Sequence, residues 1–158
     1  MSPDFSTLDV EARAEQAVNN FKSGYNCAQA VYMAYADLFG MEPKTAAIIA
    51  APMGAGIGRM REVCGTVSGA ALIAGLAIPC DNPSDMAAKT RCYALVQQVA
   101  DRFREANGSI ICRELLGIAP IKESPTPSQR TDAYYKKRPC VELVRMSATF
   151  IGESLRKL

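Results

Sequence analysis

Apolar residues recur at helical spacing along most of this chain. From Leu8 to Phe21 they return every three or four positions, while Glu11 and Glu15 turn outward. The same spacing appears in Ala30–Leu38 and again further along the sequence. A period near 3.6 residues is typical of amphipathic helices that bury one face. The pattern therefore predicts a helical protein.

Capping residues and glycines set the bounds of the predicted helices. Serine, threonine and asparagine favour the residue before a helix, proline its first position, and glycine the residue after it. The Pro-, Ser- and Thr-rich stretch 118–130 is expected to be the least ordered. The predicted segments are Ser6 or Thr7 to Lys22, Cys27–Phe39 capped by Asn26, Pro43–Ala51, Cys64 to about Ile78, Ser84–Asn107, Ser109–Leu116 and Pro139–Leu158.

No internal repeat, low-complexity tract or domain boundary interrupts these segments. We therefore expect one all-α domain over residues 1–158, a compact bundle or orthogonal array of about six to seven helices.

A glycine-rich loop, Gly54–Arg59, precedes the helix predicted to start at Cys64. Its glycines can adopt positive φ. Gly56, Gly58 and Arg59 are weak candidates for binding a phosphate-bearing cofactor. The spacing matches neither the dinucleotide fingerprint nor the Walker A loop, and no strand precedes it. We expect instead that the loop lets another cysteine-bearing helix approach Cys64.

Small residues are concentrated on two predicted helices, and there they permit close approach of another backbone. Glycines inside the helix after Cys64 are expected to serve this purpose. The same faces could alternatively join two copies of the chain in a homodimer. The glycines expected to permit close approach are Gly65, Gly69 and Gly75. The residues of the possible dimer face are Ala28, Ala30 and Ala34 on one helix, and Gly69, Ala70 and Gly75 on the other.

Composition narrows the classes of partner. Hydrophobic residues make up 49% and charged residues 22%, and the net charge of +2 gives no signature of nucleic-acid binding. The longest apolar runs, Thr45–Met53 and Val63–Pro79, are broken by glycine and proline, so we expect no membrane insertion. No secretory signal is expected at the N-terminus, which predicts a cytoplasmic protein, where disulfides are mostly transient and catalytic.

The chain has no histidine and six cysteines. The lack of histidine removes Cys–His and Ser–His catalytic pairs and haem attachment through Cys-x-x-Cys-His. Any redox or metal chemistry must then use sulfur and carboxylate. Four thiols, at Cys27, Cys64, Cys112 and Cys140, fall near predicted helix starts, and no Cys-x-x-Cys occurs. A site that they share must be assembled by tertiary folding.

Cys64 is the expected nucleophile, because Arg59 and Arg61 precede it and basic neighbours favour the reactive thiolate. A helix dipole alone supplies about 0.3–1 kcal/mol, less than the about 1.4 kcal/mol that one pKa unit requires. Cys92 lies on an apolar helical stripe and is expected to pack. Cys80, in a loop, has no clear role.

Five blocks of sequence carry a family resemblance. The chain resembles the redox-active proteins named after the pattern C_GCAxxG_C_C, and the blocks cover nearly its whole length. They are residues 21–31, 54–59, 62–70 and 112–117, and Cys140. The resemblance implies that Cys27, Cys64, Cys112 and Cys140 are the family cysteines. Thr66 departs from the alanine usual in the motif.

The resemblance and the thiol count leave three hypotheses open. The first is a dithiol/disulfide or electron-transfer centre that serves an unidentified redox partner. The second is a site in which the four thiolates hold an iron–sulfur cluster or zinc. The third is a homodimeric interaction module whose cysteines only pack. The family also resembles the helical part of split-Soret cytochromes, but this chain lacks the haem motif.

Two further features have simpler interpretations. Tyr134–Arg138 mixes aromatic and basic residues, as grooves for single-stranded nucleic acid do, but a short solvated loop is expected. Glu62 and Glu114 lie beside cysteines and are expected to be surface residues in the first turns of helices rather than acid–base groups or metal ligands.

Overall fold

The structure is a computed structural model that describes residues 3–158. The first two residues of the N-terminus, where no secretory signal is expected, lie outside the described residues. Within that range the chain is helical and contains no strand, only one antiparallel bridge between Val63 and Ile111. The predicted all-α fold is confirmed. The helices are α1 Val10–Lys22, α2 Cys27–Ala36, α3 Pro43–Ala50, α4 Gly65–Ala77, α5 Met86–Asn107, α6 Cys112–Leu116, α7 Asp132–Lys137 and α8 Cys140–Arg156.

The start of α2 follows the sequence prediction. Asn26 accepts a hydrogen bond from the backbone N–H of Gln29 (2.9 Å), and the Gln29 side chain accepts one from the backbone N–H of Asn26 (3.0 Å). This reciprocal capping satisfies donors that the first helical turn leaves free. It fixes the position of Cys27, the first residue of the helix.

Two other helix starts differ from the prediction. Asp9 caps α1 and Asp85 caps α5, each accepting the backbone N–H three residues further on. The predicted caps were Ser6 or Thr7 and Ser84. Aspartate caps a helix as well as serine does, and in both cases it is the last suitable residue before the apolar face begins.

The interpretation of Tyr134–Arg138 as a solvated loop is wrong. This stretch overlaps α7, which Thr131 caps, and both of its tyrosines are half-buried. Tyr135 packs edge-on against Phe21, with ring centroids 6.2 Å apart. A partner far away in sequence therefore gives this short segment the apolar contact that its composition does not reveal.

Helix α2 lies at the centre of the fold and contacts α1, α3, α4 and α8. The face of α2 that carries small residues packs against α4 of the same chain. A side chain at Gly69 would come within 2.8 Å of the Ala28 carbonyl oxygen. The predicted close approach is confirmed there but is wrong for Gly75, which is exposed with open space around it. A homodimer remains a prediction, and these buried faces no longer support it.

Among the described helices, none has the length and apolar character needed to cross a membrane.

Candidate functional site

Two segments distant in sequence are joined beside the start of α4. The Cys64 backbone N–H donates to the carbonyl of Ile110 (2.7 Å), and the Cys112 backbone N–H donates to the carbonyl of Glu62 (2.6 Å). These bonds flank the bridge between Val63 and Ile111 and explain why α6 begins later than predicted. They also bring the segments that carry Cys64 and Cys112 together at the same cavity.

All four cysteines singled out by the sequence line one cavity of about 350 Å³. Cys27 reaches it from the start of α2, Cys64 from the residue before α4, Cys112 from the start of α6, and Cys140 from the start of α8. Each is a free thiol. Tertiary folding thus gathers the dispersed cysteines around one space.

The cavity depends on a glycine. A side chain at Gly65 would place its first carbon 2.4 Å from the Cys27 sulfur and 3.2 Å from the Ala28 backbone nitrogen. Real contacts of that length do not occur, so α4 can begin against the Cys27 sulfur only because residue 65 has no side chain. This is the close approach that the sequence predicts for the glycines after Cys64.

The glycine-rich loop forms a left-handed turn. Residues 55–59 all have positive φ, including Ala55 (55°), Ile57 (65°) and Arg59 (65°). Left-handed backbone costs roughly 1–2 kcal/mol for each residue with a side chain, so tertiary contacts must hold the turn. The backbone N–H of Ala55, in this turn, acts to lower the pKa of the Cys27 thiol against the larger effect of burial.

Arg61 is a buried cation between a carboxylate and a thiol. It is 3% exposed. Its Nε and Nη2 atoms donate to Glu123 at 2.5 and 3.0 Å, and its Nη1 lies 3.8 Å from the Cys112 sulfur. The hydrogen bonds to Glu123, and then the contact with Cys112, raise the pKa of Arg61, so its guanidinium stays charged. Arg61 lowers the pKa of Glu123 in return.

The stretch predicted to be least ordered is anchored across the cavity by Arg59. The Arg59 guanidinium donates to Glu123 Oε1 (3.1 Å), the Ser124 carbonyl (3.0 Å) and Ser128 Oγ (3.1 Å). We call residues 123–130 the strap. Sequence reasoning missed Glu123, although it is the single acidic residue of 118–130.

These contacts bear on the predicted cofactor residues. Gly58 and Arg59 line the cavity, whereas Gly56, in the same turn, is buried and does not line it. The donors of Arg59 are directed to the strap. Phosphate binding stays a prediction that the geometry does not favour.

The wall near Cys140 is built from aromatic rings and guanidinium groups. Arg130 stacks over the Phe21 ring at 4.2 Å, and Arg138 lies 4.7 Å from the centre of the Tyr134 ring. Such cation–π contacts stabilise charge beside an apolar surface. The sequence did not indicate that Arg130 and Tyr134 would reach the cavity, because their contacts depend on α7 packing against α1.

Burial dominates the acidity of the thiols. It raises the pKa of Cys64 to about 12 and that of Cys140 to about 11. Cys27 has some exposed surface because it faces the cavity, but it is surrounded by protein, and burial raises its pKa as well. The backbone N–H groups of Ala55 and Ala28 oppose this shift.

These shifts predict that the protein loses stability in alkaline solution. The folded-state pKa of Cys64 exceeds the value of 9.0 for a free thiol, so only the unfolded chain releases this proton between those values. Stability is full below pH 9 and falls as pH rises toward 12, by up to about 1.4 kcal/mol per pH unit for this thiol. Urea unfolding under reducing conditions at pH 8, 9 and 10 measures the slope.

Cys64→Ala is the matched variant for this test, because other groups such as Tyr35 also titrate in alkali. The difference in slope between the two proteins isolates Cys64. Equal slopes would show that Cys64 does not hold its proton more tightly in the folded state.

The metal hypothesis gains no support from the arrangement. Over residues 3–158, no three Cys, Asp or Glu side chains are grouped closely enough to hold a metal ion. Glu62 and Glu114 are both exposed and do not line the cavity, as expected for surface residues. The donor set as folded does not fit zinc or an iron–sulfur cluster.

Comparison with known proteins agrees with this cysteine pattern. Residues 25–154 match the family model described as "Putative redox-active protein (C_GCAxxG_C_C)". No curated protein and no solved structure matches the chain. The match spans most of the sequence and includes all four cavity cysteines. The chain therefore belongs to the C_GCAxxG_C_C family.

Proposed function

We propose that this protein carries out thiol–disulfide exchange in the cavity, with Cys112 as the attacking thiol and Cys27 as the resolving thiol. One observation carries the assignment: the buried guanidinium of Arg61 lies 3.8 Å from the Cys112 sulfur, in the cavity that the four cysteines share. The substrate is a disulfide-bearing molecule of the cytoplasm, where reversible disulfides serve catalysis.

Cys112 replaces Cys64 as the expected nucleophile. Although Arg61 is closer in sequence to Cys64, its guanidinium is directed to Cys112. Cys64 instead lies 3.2 Å from the hydroxyl of Thr66, and burial keeps it protonated. The thiol that a buried guanidinium contacts is therefore the one we assign as the nucleophile.

Cys27 is suited to resolve the first product. Its sulfur is close enough to Cys64 and Cys140 to raise the pKa of each, and it also interacts with Cys112. The backbone N–H groups of Ala55 and Ala28 act to lower the pKa of Cys27 and so favour negative charge on its sulfur. Cys27 thus shares the cavity with the other three thiols and interacts electrostatically with each of them.

The reaction proceeds in two exchanges. The Cys112 sulfur attacks one sulfur of the substrate disulfide; that bond breaks, and one half leaves as a thiolate that takes up a proton. The Cys27 sulfur then attacks Cys112 in the mixed disulfide and releases the other half. Two protein thiols become one disulfide, and one substrate disulfide becomes two thiols. The reverse steps reduce the protein.

Trapping the mixed disulfide tests this order of events. Reduced protein is mixed with oxidised glutathione at pH 7.5, quenched with an alkylating agent and mapped by mass spectrometry. Wild type is expected to yield a Cys27–Cys112 disulfide. Cys27→Ser is expected to accumulate glutathione on Cys112, because the resolving thiol is missing, and Cys112→Ser is expected to yield neither product.

Cys140→Ser is the matched control, since it also removes a cavity thiol but leaves the proposed pair intact. It should still form the Cys27–Cys112 disulfide. Glutathione accumulating on Cys64 rather than on Cys112 in the Cys27→Ser variant would overturn the assignment.

A further inference from the structure

The cavity that the four cysteines share is lined by cations and by apolar side chains. Within residues 3–158, four guanidinium groups line it and no carboxylate does. They belong to Arg59, Arg61, Arg130 and Arg138. Much of the remaining lining is leucine, proline and aromatic side chains. Apolar surface with a few placed polar groups is usual for small-molecule sites, and here the polar groups suit an organic anion.

Three of the four guanidinium groups already have partners within the protein. Arg59 and Arg61 both donate to the Glu123 carboxylate. Arg130 donates to two backbone carbonyl oxygens, of Phe21 and Tyr25, at 3.0 Å each. These bonds hold the strap and the cavity wall in place, so their donors serve the fold.

Arg138 differs from the other three. It follows the last residue of α7, lines the cavity and is partly exposed. In the part of the chain that the structure describes, its side chain forms no hydrogen bond and no ion pair. Its guanidinium lies 4.7 Å from the centre of the Tyr134 ring, a contact that leaves the N–H groups at its edge unused. A planar guanidinium with unused donors can bind a carboxylate through two parallel hydrogen bonds.

We propose that the cavity takes a low-molecular-weight disulfide that bears a carboxylate, and that Arg138 binds this carboxylate while the disulfide lies at Cys112. The inference rests on the thiol–disulfide exchange proposed above and names its class of substrate. A cavity of about 350 Å³ is near the lower end of small-molecule sites, about 300–1,000 Å³, which favours a small molecule over a segment of protein. In the exchange, Cys112 keeps one half as a mixed disulfide, and the other half leaves as a thiolate and takes up a proton.

Rates of exchange with two disulfides of different charge test the selectivity. Dithiodipropionate carries a carboxylate at each end, whereas hydroxyethyl disulfide is uncharged. Both are measured in the Cys27→Ser background, where the reaction stops at the mixed disulfide on Cys112. Arg138→Gln is expected to lower the rate constant for dithiodipropionate by about tenfold, the low end for a hydrogen bond to a charged group because Arg138 is partly exposed. The rate constant for hydroxyethyl disulfide should not change.

Lys137→Gln is the matched control. It removes one positive charge next to Arg138 in the sequence, but Lys137 is exposed and does not line the cavity. Both rate constants should stay as in the parent. Equal losses for the two disulfides in Arg138→Gln, or equal losses of dithiodipropionate exchange in Arg138→Gln and Lys137→Gln, would overturn the inference.

Binding of suberate separates a failure of this inference from a failure of the exchange. Suberate is the dicarboxylate of the same chain length as dithiodipropionate, with carbon in place of both sulfurs, so it cannot react. In NMR titrations the reduced protein should bind suberate more tightly than octanediol, and Arg138→Gln should weaken suberate binding by about tenfold. If suberate binds in this way while no disulfide reacts at Cys112, the carboxylate site stands and the proposed exchange is wrong. Suberate binding no tighter than octanediol, or unchanged by Arg138→Gln, would overturn the inference even if Cys112 reacts with oxidised glutathione.

Discussion

Arg61→Gln is expected to slow the reaction of Cys112 with oxidised glutathione by about 10- to 100-fold at pH 7.5. The substitution removes the cation 3.8 Å from the Cys112 sulfur, and a hydrogen bond to a charged group contributes about 1.5–3 kcal/mol. Stopped-flow or quenched-flow measurement of glutathione addition to Cys112 in the Cys27→Ser background gives the rate constant without interference from the resolving step.

Arg59→Gln is the matched control for this experiment. Arg59 binds the same Glu123 carboxylate and anchors the strap, but its donors go to Glu123, Ser124 and Ser128 rather than to a thiol. A similar loss of rate in both variants would mean that the strap, rather than the charge beside Cys112, controls reactivity. A loss confined to Arg61→Gln supports a direct action of the guanidinium on the sulfur.

Gly65→Ala is expected to lower the free energy of unfolding by about 1–3 kcal/mol, the usual range for overpacking a filled site. The added methyl group would stand 2.4 Å from the Cys27 sulfur and 3.1 Å from the Met53 carbonyl oxygen. Either Cys27 or the start of α4 must move, so the cavity thiols should also exchange more slowly. Urea unfolding of the reduced protein measures the first effect, and the glutathione assay measures the second.

Gly75→Ala, in the same helix, provides the comparison. Gly75 is exposed with open space around it, so alanine there should raise stability by up to about 1 kcal/mol through its better helix propensity. If both substitutions stabilised the protein, the contact between Gly65 and Cys27 would not be tight in solution.

The helices of this protein could largely be predicted, because the signals that define them are local. Asn26 and Gln29 cap α2 through bonds spanning three residues, and the apolar positions of a helix repeat within one or two turns. Where the prediction failed, a distant contact decided the outcome. Tyr135 of helix α7 is half-buried against Phe21, more than a hundred positions earlier in the sequence.

The candidate site likewise combines features that the sequence determines with features that only the tertiary structure decides. The sequence by itself determined the all-α fold, the family and which four cysteines belong together, because those features lie in composition, short motifs and helical periodicity. Only the tertiary structure decided which cation faces which thiol. Arg61 is three positions from Cys64, yet its positive φ and its pairing with Glu123 direct it to Cys112. Long-range contacts orient a side chain, and sequence spacing does not encode them.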